Sequence, residues 1–200
     1  MRLTAIALAV LLIPALARAA DRTNTPAAPI DPTLTGVPTT ESQIEKMSDA
    51  RIAATLHHVN QMEIDAGNLA QAQCQTARCK EFGRILVAEH QKADTQLIDI
   101  ARRASFDLDA LTAKDRAKLQ IDDNKMDQVK RMHGALFDKT FGQVMANGHG
   151  NVLDMLRDHK GDIRSGELKR FVENTIPVLE NHKDLAAKID TKIQARSPRR

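Results

Sequence analysis

Tryptophan and tyrosine are absent from the 200 residues, and five phenylalanines are the whole aromatic complement. A nucleic-acid site built on ring stacking therefore has little to draw on. An excess of one charge is missing too: 29 Lys and Arg stand against 26 Asp and Glu, for a formal net charge of +3. Acidic and basic residues alternate along the chain. That pattern is a solvated surface, not the concentrated basic footprint that phosphate backbones select, so no nucleic-acid partner is expected. Alternating apolar and polar residues of the strand type are also missing, which argues against a membrane barrel. No P-loop, nucleophile elbow or dinucleotide-binding fingerprint is present, so an enzymatic role has no motif behind it.

Cysteine is scarce. Cys74 and Cys79 stand alone in CQTARC, without the CxxC spacing of redox motifs or the extra thiolates and paired histidines of a zinc site. In an exported protein the pair reads as one disulfide, closing a small loop and contributing roughly 2 kcal/mol by the chain-entropy estimate. Two reduced thiols are the alternative.

Long apolar runs are limited to one, LTAIALAVLLIPAL, which is too short for a confident membrane span. It follows a basic start, Met1–Arg2, and precedes small residues at Ala17 and Ala19. This is the layout of a secretory signal peptide over residues 1–19, cleaved near Ala19–Ala20, and it predicts a periplasmic protein. Residues 20–47 are rich in Pro, Thr and Ala, with four prolines and little apolar surface to bury, and read as a flexible lead segment.

From Ser48 the pattern changes to helical periodicity. Helices are expected over about Asp49–Gln73, Ala77–Ala104, Ala135–His159 and Glu167–Ile193, within a domain spanning 48–195; residues 196–200 form a basic tail. A polar stretch of some thirty residues separates the second helix from the third; part of it is helical, with a thin apolar stripe. Four long amphipathic helices predict an all-α four-helix bundle with a long crossover between helices 2 and 3.

Each apolar stripe is interrupted once. Glu63 interrupts the first, His90 the second, His149 the third and His182 the fourth, each in steps of three or four residues that keep it on the inward face. Glu63 lies 11 residues before Cys74, and His90 lies 11 after Cys79. His149 lies 16 before Ser165, and His182 lies 16 after Gly166. If the crossover places the hairpin turns at opposite ends, both pairs share one level in a bundle about 27 residues long. One carboxylate and three imidazoles in an apolar core must be satisfied. They make a ligand set for Zn²⁺, Cu²⁺ or Fe²⁺; a metal-free hydrogen-bonded layer with protonated histidine paired to Glu63 is the other reading. His57, His58 and His133 fall off the stripes and read as solvent-facing, as do Asp154 and Asp158. Glu89 and Glu180 adjoin inward histidines and are candidate hydrogen-bond partners for them, but surface carboxylates are the stronger reading. His159 reads as a helix-end residue.

The segments NQMEIDAGNLA, KEFGRILVAEHQKADTQL, GQVMANGHGNVLDML and LKRFVENTIPVLENHKDLAAKI together resemble the ferritin-like domain of unknown function 4142 family, exported bacterial proteins often labelled outer membrane proteins. The resemblance covers about Ser48 to Ile193 and rests on Glu63, Glu89–His90, a histidine on the third helix and Leu179-x-x-His182. It implies a ferritin-like fold. It does not imply a di-iron carboxylate site, which takes a Glu-x-x-His pair from each of two helices: Val87 and Leu179 stand where those glutamates belong. Two functions follow as expectations: an envelope protein that binds a transition metal for storage, sensing or stress protection, or a metal-free envelope protein that binds a partner, its polar layer fixing helix register. Any envelope association would be peripheral.

Overall fold

The computed structural model describes residues 45–190. It is all-α, with α1 (Asp49–Gln73), α2 (Ala77–Ala104), α3 (Ala113–Val129), α4 (Gly134–His159) and α5 (Gly166–Asp190), and no strand occurs among the described residues. The expected leader (1–19), the lead segment as far as residue 44, the last helix beyond Asp190 and the tail (196–200) lie outside the described residues.

Local chemistry explains the boundaries. The Ser48 hydroxyl accepts from the Arg51 amide (3.2 Å), and the Thr76 hydroxyl accepts from the Cys79 amide (3.3 Å), so α1 and α2 each start on a side-chain cap. Thr112 and Asp115 cap one another reciprocally at the start of α3. That cap, not an apolar stripe, organises the polar crossover. Arg51 donates through Nε (2.6 Å) and Nη2 (2.8 Å) to the two Asp115 oxygens, a bidentate pair tying the start of α3 to the start of α1. The Arg51 guanidinium holds the Asp115 carboxyl well below the usual carboxylate range.

α1 packs along α2, α4 along α5, α2 touches α5, and α1 touches α4. Two carboxylates set the ends. Asp138, fully buried on α4, accepts from the Gln75 amide (2.9 Å), the Thr76 amide (2.9 Å) and the Thr76 hydroxyl (2.7 Å), and so receives the α1–α2 turn. Asp49, first residue of α1, accepts from the amides of Arg164 (3.0 Å) and Ser165 (2.6 Å) in the α4–α5 turn. The two hairpin turns therefore lie at opposite ends, at the starts of α4 and α1. The Cys74–Cys79 disulfide closes the first turn, with Cα atoms 5.7 Å apart.

The apolar core falls into two clusters. One gathers Ile52, Leu56, Leu97, Ile100, Leu153, Leu156, Leu168, Val172 and Leu179. The other gathers Ala66, Ala70, Phe82, Leu86, Phe137, Phe141, Met145, Ala186 and Ile189 around the disulfide, with Met126 and Val129 of α3. On every long helix the crossing from one cluster to the other passes through a buried polar residue. Val178 is 37 % exposed, and its neighbour Leu179 takes the interior place.

The α1–α2 contact is set by two glycines that face each other. A methyl group on Gly67 would lie 2.6 Å from the Gly83 carbonyl oxygen, and one on Gly83 would lie 2.7 Å from the Gly67 oxygen. Gly148 on α4 faces open space, with nothing within 4 Å. Alanine at either site gains about 1 kcal/mol of helix propensity, whereas overpacking typically costs about 1–3 kcal/mol. Gly148→Ala is therefore expected to raise the urea midpoint and Gly67→Ala to lower it; equal shifts in one direction would show that the close approach is not a constraint.

Candidate metal centre

Glu63, His90, His149 and His182 are all buried, at the level where the two apolar clusters part. Ring centroids of His90 and His182 are 5.2 Å apart, those of His149 and His182 5.2 Å, and those of His90 and His149 6.0 Å. One nitrogen from each of these three rings lies within 4.8 Å of the other two. The Phe82 ring closes the layer on the disulfide side, 6.2 Å from His182 and 6.5 Å from His149.

The protonation pattern follows from neighbours that can only accept. Asp94 receives Gln61 Nε2 (2.5 Å) and lies 3.4 Å from Asn60 Nδ2, which turns the Asn60 carbonyl oxygen toward His90. His90 Nδ1 therefore donates to Asn60 Oδ1 (2.9 Å). His149 Nδ1 donates to the Met145 carbonyl (2.8 Å), and His182 Nε2 donates to Glu89 Oε2 (2.8 Å). Each imidazole has thus committed its one N–H away from the centre. What remains are three lone pairs, on His90 Nε2, His149 Nε2 and His182 Nδ1. The last two are 3.3 Å apart with no proton left between them, and His90 Nε2 is buried without a partner.

Electrostatics keep the rings neutral. Burial, then the facing His182 and His149, holds His90 far below the ordinary imidazole value. Burial lowers His149 to about 4 despite its bond to Met145, and burial lowers His182 although Glu89 opposes the shift. Two nitrogen lone pairs at hydrogen-bond distance repel unless a cation stands between or beside them. Tetrahedral bonds of about 2.05 Å would space ligand nitrogens by about 3.3 Å, so the His149–His182 pair already has the required separation.

Glu63 takes a different place from the one its spacing predicts. Its Oε1 is 3.7 Å from His149 Nδ1, the nitrogen turned away from the other rings, and it is not among the three gathered ligands. Burial pushes its carboxyl up to about 8, and Oε2 has no hydrogen-bond partner. The same helical spacing aimed all four residues inward, but a residue's phase does not decide which side of a neighbouring ring it meets.

Two supporting residues, Asn60 and Asp94, escaped the sequence reading. Asn60 precedes Glu63 by three residues and Asp94 follows His90 by four, so both were within reach of the stripe rule, but the second stripe was carried through Ala93. Glu89 is at the surface, as expected of it, with 46 % of its side chain exposed, and it still reaches His182. His57 is not free in solvent: it is half-buried, with Nδ1 2.7 Å from Asp94 Oδ1. His58 is also half-buried, facing Asp123 at 3.7 Å. His133, Asp154 and Asp158 are exposed, Glu180 pairs at the surface with Arg157, and His159 meets Asp162 (3.0 Å). A second group within reach of one ion, Cys74, Cys79 and Asp138, has its sulfurs joined and its carboxylate filled by the α1–α2 turn.

The fold and this layer define a class: an all-α protein with a buried triple-histidine centre. The chain belongs to the domain of unknown function family DUF4142, whose model matches residues 35–189. No curated protein and no solved structure matches it significantly.

The buried groups set a pH dependence for the metal-free protein. The unfolded chain takes up protons on histidine near 6.5, whereas the folded imidazoles refuse them, so stability falls as pH drops below about 6.5. Glu63 acts in reverse: the folded state keeps a proton that the unfolded state loses near 4.5, so stability falls as pH rises toward about 8. Below 6.5 three histidines outweigh one carboxyl; above it Glu63 acts alone. Melting temperatures of chelator-treated protein are expected to peak near about pH 6.5 and fall on both sides, with Glu63→Gln removing the alkaline decline. A steady rise from about pH 5 to pH 9 would contradict this account.

Proposed function

We propose that this protein is an exported, ferritin-like four-helix-bundle protein of the cell envelope that binds one transition-metal ion through His90, His149 and His182, for storage, sensing or stress protection. α1, α2, α4 and α5 would form the bundle, with α3 as the long crossover; hairpin turns at opposite ends support that topology. The observation that carries the metal reading is the convergence of three imidazole lone pairs whose outer N–H groups are already held by Asn60, Met145 and Glu89. Outer hydrogen bonds of this kind fix tautomer and ring orientation in histidine metal sites. Imidazole ligands suit Zn²⁺ or Cu²⁺, and Fe²⁺ less well without a gathered carboxylate. A dication in the layer would also pull the neighbouring Glu63 carboxyl down toward ionisation. Export rests on the leader-like residues 1–19, and any association with a membrane would be peripheral: no helix among the described residues is long and apolar enough to cross one.

At a hundredfold excess over Kd, Zn²⁺ or Cu²⁺ should contribute about 2.7 kcal/mol and raise the melting temperature by about 5–10 °C for a chain of this size. His182→Leu should abolish that rise and leave a helical protein, because a leucine suits the stripe. No rise in the parent protein would favour the metal-free reading, a structural layer in a partner-binding protein. Export has its own measurement: the intact mass of periplasmic material should begin at or near Ala20, and retention of Met1 would refute the leader.

A further inference from the structure

A groove of about 720 Å³ runs between α2 and α5 and reaches His90 and His182. It is lined on one side by Lys92 and on the other by Arg170, Thr175 and Val178. Pro177 lies in the same stretch of α5 and removes one backbone N–H from the helix ladder there. The three gathered nitrogens leave one position of a four-coordinate ion without a protein ligand, because Glu63 meets the far side of His149. A centre with three protein ligands and an open fourth position is the arrangement that admits an exchangeable ligand.

We infer that the fourth position of the metal faces the α2–α5 groove and takes a small anion from solution. This rests on the metal reading proposed above. Charge selects the ligand class. Two of the groove's carboxylates are paired with arginine, Asp99 with Arg102 and Glu167 with Arg103, while Glu89 accepts from the neutral His182 and keeps its charge. Lys92 and Arg170 have no ion-pair partner among the described residues. Three neutral imidazoles also leave a divalent ion its full double charge. An anion entering the groove therefore meets Lys92 and Arg170, two unpaired cations against the single uncompensated carboxylate of Glu89, and then the ion.

Co²⁺-loaded full-length protein titrated with azide tests the inference, read by visible ligand-field absorption. Co²⁺ is expected to give a low-symmetry spectrum that azide changes saturably. The double variant Lys92→Glu/Arg170→Glu should weaken azide binding by about tenfold at low salt while Co²⁺ affinity stays within about twofold. Val178→Trp, which adds bulk at the groove, should slow the azide response. Absence of Co²⁺ binding would overturn the metal reading itself. Co²⁺ binding with no response to azide would leave that reading standing and overturn this inference. So would a Glu63→Gln variant that responds to azide where the parent does not, which would show Glu63 in the fourth position. Azide binding unaffected by the charge reversal would overturn the groove as its route.

Discussion

The structure depends on a polar layer cutting through its own core. Burying an imidazole or a carboxyl without a partner costs on the order of kilocalories per group, and here four such residues occupy one level. The helices accommodate them by dividing the apolar core in two, with the leucine-rich cluster on one side and the phenylalanine and disulfide cluster on the other. Much of the remaining polar chemistry serves that layer. Asp94 fixes the Asn60 amide, Asn60 fixes the His90 tautomer, Met145 fixes that of His149, and Glu89 reaches in from the surface to fix that of His182. The partners satisfy the outer edge of each ring and leave the inner edge bare.

α2 and α4 solve the same local problem with the same residues. Phe82-Gly83 and Phe141-Gly142 are each followed, after two residues, by a large apolar side chain (Leu86, Met145) and, four residues further on, by histidine (His90, His149). In each helix the phenylalanine is buried below the layer, with the two rings 6.2 Å apart edge to face, and the glycine lets a partner helix come close: α1 at Gly67 and α5 at Ala186. Close backbone approach on the phenylalanine side follows from one nine-residue pattern used twice.

What the sequence made legible follows from which physical effect carried each signal. Periodicity over 25 to 28 residues placed the long helices nearly to the residue, because burial and backbone geometry act together over many turns. Equal residue counts around the turns put His90, His149 and His182 at one depth, and their rings do meet. α3 was indistinct because it is held by a cap and one Arg–Asp pair, signals that occupy three or four residues rather than a stripe. Glu63 was assigned by phase, and phase does not specify which nitrogen of a neighbouring ring a side chain approaches. Of two adjacent apolar residues, α5 turns Leu179 to the core and leaves Val178 lining the groove, a choice that hydrophobicity alone does not make.

Where Glu63 sits separates two kinds of site. Had its carboxylate joined the three nitrogens, the set would be closed at four ligands, the condition of a structural ion. Displaced to the outer edge of His149, it leaves a neutral acid in the apolar layer and three gathered nitrogens, one short of a four-ligand set, beside a groove lined by Lys92 and Arg170. Di-iron helical bundles surround their two metal ions with glutamates that carry much of the charge balance. Here the inward positions of α2, α4 and α5 carry neutral imidazoles, so the three gathered side chains by themselves would offset none of the charge of an ion held between them. That difference in charge, more than any difference in helix packing, sets this centre apart from a carboxylate-bridged one.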